Sequence, residues 1–198
     1  MKKLVFALVT AIFISGAAFA ASGSNGEINV KAGLYPFGGF TLEDEVMPNV
    51  YMNQKVVLEV SFSFAAEYLY PLNDIFKVGV GLEYSLGMVP KNKTTSLGDW
   101  KYTALPIYAT VQTNPFIEKE IFIKGNIGYV ASPNVENAPD DALDGGLYWA
   151  VAAGYEFPIG LIVELSYSVQ NAKTDYFTGI DSLYFTRCGI NVGYKFKI

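Results

Sequence analysis

The chain has 198 residues, half of them hydrophobic and 15% aromatic, with nineteen glycines and a formal charge of −5. Its single cysteine, Cys188, excludes an internal disulfide framework, and an excess of acids with no basic cluster excludes a nucleic-acid partner. After residue 20 no run of eighteen apolar residues occurs, which excludes a spanning helix.

The first element is not part of the folded domain. Met1-Lys2-Lys3 is a short basic segment, Leu4 to Ile14 is an apolar run, and Ala18-Phe19-Ala20 is a small-x-small cleavage site. Residues 1–20 read as a cleavable signal peptide and residues 21–198 as one exported domain. Removing the signal takes away Lys2, Lys3 and no acid, leaving 12 basic and 19 acidic residues, a charge of −7.

Eight segments then alternate apolar and polar residues with period two, the signature of strands with one greasy and one wet face. In 27–35, Ile28, Val30, Ala32 and Leu34 oppose Asn29, Lys31 and Gly33. In 56–70, Leu58, Val60, Phe62, Phe64, Ala66 and Tyr68 oppose Glu59, Ser61, Ser63, Ala65 and Glu67. In 75–89, Phe76 through Met88 at even positions oppose Lys77, Gly79, Gly81, Glu83, Ser85 and Gly87. Segments 102–112, 121–130, 147–157 and 161–170 continue the pattern. Segment 182–198 ends it, with Arg187 on the polar side and Cys188 on the apolar side. Helix formation is disfavoured by the interior glycines.

The connections alternate too. Long ones (36–55, 90–100, 131–146, 171–181) alternate with short ones (71–74, 113–120, 158–160), as in an up-and-down barrel whose rims face different compartments. The polar faces are mostly Gly, Ala, Ser and Asn, which suits the inside of a narrow eight-stranded barrel. The apolar faces are large and continuous, which suits lipid, because a closed barrel satisfies every backbone group in a membrane. Aromatic residues near the strand ends form two girdles: Tyr68, Tyr70, Phe76, Tyr155, Phe157, Tyr194 and Phe196 by the short turns, and Tyr35, Trp100, Tyr129, Trp149 and Tyr184 by the long loops. The expected fold is all-β: an eight-stranded antiparallel up-and-down transmembrane β-barrel. A secreted lipocalin-like carrier would need the greasy faces inside.

The signal peptide, the strand entry KYTALPIYATV at 101–111, the IKGNIGYV stretch at 123–130 and the final GYKFKI carry a resemblance. The chain resembles the small outer-membrane β-barrel family that includes outer membrane protein X, the opacity proteins and the transmembrane half of outer membrane protein A. The resemblance implies residence in a bacterial outer membrane and recognition of the last strand by the barrel-insertion machinery. That strand usually ends in Phe or Trp in the family; here Ile198 follows Phe196 and Tyr194.

By parity the lumen should hold Lys31, Lys77, Lys124, Arg187 and Lys195 against Glu59, Glu67, Glu83, Glu156 and Glu164. Unpaired charge is costly in a low-dielectric tube, so a salt-bridged plug is expected. The alternative is a gated conduit in which Arg187 exchanges between Glu59, Glu83 and Glu164. The loop acids Glu43, Asp44 and Glu45, with Glu136, Asp140, Asp141 and Asp144, are ordinary solvated charge or else bridge divalent cations to lipopolysaccharide. With no histidine and one lipid-facing cysteine, no metal, cofactor or catalytic site is expected. Glu164 and Ser166 share a face but have no neighbour to take a proton near neutral pH.

The resulting expectation is a monomeric, non-enzymatic outer-membrane barrel with a structural or adhesion-type role exercised through long extracellular loops. Its partners would be outer-membrane lipid, lipopolysaccharide, the insertion machinery and an extracellular surface. The alternative is a narrow porin-like channel or a hydrophobic-solute transporter. Val192→Arg is expected to disrupt insertion, and Asn191→Ser to be mild.

Overall fold

The computed structural model describes residues 26–47, 50–91, 101–115, 120–136, 143–173 and 180–198. The expected signal peptide and Trp100, Asp140 and Asp141 lie outside them. Eleven strands occur in order: β1 (Glu27–Met47), β2 (Val50–Val57), β3 (Ser61–Pro71), β4 (Phe76–Met88), β5 (Tyr102–Ala104), β6 (Pro106–Thr113), β7 (Ile121–Val130), β8 (Asn134–Val135), β9 (Asp144–Glu156), β10 (Leu161–Lys173) and β11 (Ile180–Lys197). All pairings are antiparallel. They make eight wall strands, because β2 with β3, β5 with β6 and β7 with β8 are each one wall strand interrupted by a break.

The ladder runs β1–β3–β4–β6–β7–β9–β10–β11. Pairing of β11 back onto β1, from Glu27↔Lys197 upward, closes the barrel and removes its edges. The short connections are tight. At one, Asn73 Oδ1 accepts the Ile75 and Phe76 N–H groups at 2.9 and 2.8 Å. At another, Gly160 has a φ of 87°, a conformation suited to glycine, and its carbonyl accepts the Lys195 N–H at 2.8 Å.

The greasy faces look outward. Val30, Phe62, Phe64, Val80, Val111, Ile123, Ile127, Val151, Leu165, Ile190 and Val192 are all exposed, and the closed wall between them leaves lipid as the matching solvent. Tyr70, Phe76, Tyr155, Phe157, Tyr194 and Phe196 are exposed at the short-turn rim, and Tyr129 and Trp149 toward the other. Tyr35 is not in the upper girdle. It points into the lumen and is buried, as its odd position in β1 requires.

Two expectations change at the upper end. Segment 36–55 is not an irregular loop: β1 continues to Met47 and pairs with β2, so Glu43, Asp44 and Glu45 have backbone partners Asn53, Met52 and Tyr51. At 21 and 18 residues, β1 and β11 are about twice the ~10 that a tilted strand needs to cross a bilayer. Alternation also slips by one residue on three neighbouring strands. The slips lie between Leu34 and Phe37 in β1, across residues 58–60 between β2 and β3, and at Gly87 (φ 72°) in β4. Beyond them Phe40, Val56, Leu58 and Met88, which strict parity would aim at lipid, turn inward. They join Tyr102, Val130, Tyr148, Leu183 and Phe185 in a buried apolar plug. Tyr102 stacks on Phe185 with ring centroids 3.8 Å apart.

Two measurements check this wall. Val192→Arg, on the lipid face at mid-strand, should cost about 2–4 kcal/mol, read by urea unfolding of the vesicle-inserted protein. A Cβ at Gly128 would lie 2.0 Å from the Ile107 carbonyl oxygen, whereas one at Gly125 meets nothing within 4 Å. Gly128→Ala should therefore destabilise the barrel by roughly 1–3 kcal/mol and weaken its heat-modifiable gel mobility, while Gly125→Ala leaves both unchanged.

Candidate functional site

Among the described residues, charged side chains gather most densely in the lumen. Inward parity, closed around the barrel, stacks ten ionic side chains in three layers. The lowest lies at the short-turn mouth. Lys77 pairs with Glu27 at 2.7 Å and reaches Glu156 at 3.8 Å, while Lys195 pairs with Glu156 and reaches Glu27 at 3.7 Å. Four strands, β1, β4, β9 and β11, are tied by this ring.

The middle layer draws on four other places in the wall. Lys31 of β1 contacts Glu67 of β3 at 2.7 Å and Glu164 of β10 at 2.9 Å. Lys124 of β7 contacts the same two carboxylates at 3.1 and 2.7 Å. Glu67 is only 2% exposed, so both its charge and its lone pairs need partners from the protein. Tyr108 donates to it at 3.0 Å. Glu164 also accepts from the Asn191 side-chain amide at 2.9 Å, and Asn191 in turn donates to Ser166 and accepts from the Tyr35 hydroxyl.

The upper layer is a single pair. Arg187, 1% exposed, donates through Nη2 to Glu83, and the Tyr35 ring lies 4.3 Å from its guanidinium carbon. Glu83 also accepts from Tyr148 and Ser85, both at 3.2 Å, and Gln170 donates to Ser85 at 3.1 Å. Nε and Nη1 of Arg187 and the Tyr102 hydroxyl have no hydrogen-bond partner among the described residues. They lie where the polar layers give way to the apolar plug.

The structure thus brings together Lys31, Lys124 and Glu164, and separately Arg187 and Glu83. It does not bring Glu59 to them. The slip across residues 58–60 leaves Glu59 exposed, its N–H bound to the Val89 carbonyl. Arg187 engages one carboxylate rather than two, and Glu164 belongs to the lysine layer. Glu27 takes the place expected of Glu59, so the lumen still holds five cations and five carboxylates. The same parity rule, carried to the first residue of β1, finds Glu27. The inward aromatics Phe122 and Tyr148 carry no alternation signal and were not foreseen. Asn191 has three side-chain partners, so Asn191→Ser should cost stability rather than be mild.

Of the loop acids, Glu136 faces Lys101 at 3.6 Å in an exposed pair, and Asp144 is exposed at the start of β9. The side chains of Glu43, Asp44 and Glu45 lie outside the described ones. Among the described residues no three metal-ligating side chains gather.

Each layer is electrically neutral; the middle and upper layers are buried, and the lowest, at the mouth, keeps partial exposure. Such layers contribute little net stability, but removing one partner strands a buried charge. Glu67→Gln leaves Lys31 and Lys124 sharing one carboxylate and should cost about 3–5 kcal/mol in urea unfolding. Glu67→Gln with Lys124→Met, which restores neutrality, should lose less than the single change.

Comparison with solved structures returns small membrane barrels. Neisserial surface protein A is 11% identical over 87% of this chain and 98% of its own, with a TM-score of 0.50. Outer membrane protein AlkL, determined in lipid bilayers, is 11% identical over 88% and 92%, with a TM-score of 0.49. Ail, the attachment invasion locus protein of Yersinia pestis, is 12% identical over 87% and 99%, with a TM-score of 0.48. No protein-family model and no curated protein matches the chain.

Proposed function

From the premise that the chain has the fold of the small eight-stranded outer-membrane β-barrels, we propose that it is a closed, non-enzymatic barrel of the bacterial outer membrane with a structural or adhesion-type role. The observation that carries this reading is the filled lumen: three neutral ionic layers beneath an apolar plug, with Lys31, Glu67, Lys124, Glu164 and Arg187 all buried. Such an interior holds walls together; it offers ions no hydrated path.

What the barrel then presents is its upper end. The β1–β2 hairpin extends well past bilayer thickness, carrying Glu43, Asp44 and Glu45 toward lipopolysaccharide and any extracellular partner. Cation bridging between those acids and lipopolysaccharide belongs to this proposal, as do export through residues 1–20, insertion by the barrel-assembly machinery and a monomeric state. The lack of histidine and the pairing of every lumenal carboxylate support a non-enzymatic role.

A hydrophobic-solute transporter is the second reading, favoured by one feature. Where β1 slips, a cavity of about 460 Å³ opens beside Phe37, Phe40, Val56, Val57, Tyr167 and Cys188. Purified protein in planar bilayers should show no steady conductance steps, and vesicles containing it should admit apolar solutes no faster than empty ones. Large stable pores would overturn the closed-barrel proposal, and accelerated solute uptake would favour the second reading.

A further inference from the structure

The lumen layers leave two charged groups unused at the lower mouth. A cavity of about 510 Å³ sits between the β9–β10 turn and the end of β11, lined by Glu120, Glu156, residues 157–160, Tyr194, Lys195 and Lys197. Its two lysines and two glutamates give it no net charge. Lys195 and Glu156 already satisfy one another. Lys197 is exposed, Glu120 half-buried, and neither enters an ion pair among the described residues. Among the described residues the cavity therefore offers one ammonium and one carboxylate without an ionic partner, a pair complementary to a zwitterion.

Its outer lip identifies the kind of zwitterion. Phe157, Tyr194 and Ile159 are exposed, Ile159 at 72%, the largest value among the exposed apolar residues. They stand at the boundary where an apolar side chain faces acyl chains while its neighbours face headgroups. A soluble ligand would gain little from that lip. A phospholipid gains from both halves of the site.

We propose that this cavity seats the headgroup of an inner-leaflet phosphatidylethanolamine, with Lys197 on the phosphate, Glu120 on the lipid ammonium, and the first acyl segments against Phe157 and Ile159. The proposal rests on the transmembrane reading, which puts the short-turn rim at the inner boundary of the membrane. Charge-assisted contacts of this type are the stronger hydrogen bonds, and the ring of Lys77, Lys195, Glu27 and Glu156 gives the site a rigid floor.

The test uses the full chain refolded into vesicles of equal phosphatidylethanolamine and phosphatidylglycerol, extracted in mild detergent, with bound lipid counted by native mass spectrometry. One phosphatidylethanolamine per barrel is expected, retained about tenfold over phosphatidylglycerol, which lacks the ammonium. Lys197→Gln and Glu120→Gln should each reduce retention about tenfold while heat-modifiable mobility stays as in the unsubstituted chain. Equal retention of the two lipids, no retained lipid on an inserted barrel, or displacement by equimolar soluble glycerophosphoethanolamine would overturn the proposal. Failure of the unsubstituted chain to insert would instead overturn the transmembrane reading beneath it.

Discussion

An ammonium or carboxylate inside a protein-lined tube cannot keep its hydration, and the Born cost of that loss is several kcal/mol per ion even after relaxation. This constraint organises the interior. Lys31 and Lys124 each span Glu67 and Glu164, so two cations from β1 and β7 are held by two anions from β3 and β10. The contacts cross the lumen rather than run along one strand. They therefore fix how far apart opposite walls stand, which backbone ladders between adjacent strands do not determine. Tyr108, Asn191 and Tyr35 fill the remaining bonding capacity of these groups and leave little room for the layer to rearrange.

Above this layer the chain changes its means of closure. Side chains that begin the ascent facing lipid end it facing inward, because β1, the β2–β3 wall strand and β4 each accommodate an extra residue. The upper lumen is consequently filled by Phe40, Leu58, Met88, Tyr102 and Phe185, and dispersion and burial replace ion pairing. A membrane barrel that is greasy outside along its middle and greasy inside near its top matches its surroundings, since only the middle is bathed in hydrocarbon.

How much of this was legible in the sequence follows from what period two can encode. Long uninterrupted runs such as 61–70, 147–157 and 161–170 gave both faces correctly, because one residue's orientation fixes all the others on a regular strand. The lumenal partners Lys31, Lys124, Glu164, Glu83 and Arg187 were legible for the same reason. A slip of one residue leaves no mark in hydrophobicity when it falls in an apolar pair or when the alternation of residue types runs through it unbroken, as at Leu58-Glu59-Val60-Ser61-Phe62. Pro36-Phe37 and Glu59-Val60 hid it, and the fates of Glu59 and Met88 were lost with it. Gly87 was visible as a glycine but indistinguishable from the other glycines of β4, which sit in ordinary extended backbone. Which carboxylate meets which lysine depends on tilt and stagger around the whole cylinder, a property of closure that no single strand carries.

The ring at the short-turn mouth has a consequence for how the cylinder is made. Glu27 opens the first wall strand and Lys195 lies near the close of the last, and Lys77 and Glu156 come from the two flanks between them. The four act as a buckle across the seam, fastened only when the curling sheet brings its two margins together. Until then each charge lies at a wet border where hydration is free, so an open ribbon carries no penalty there. Once the buckle shuts, opening the seam from this end separates Lys195 from Glu27 together with the backbone rungs at the same rim.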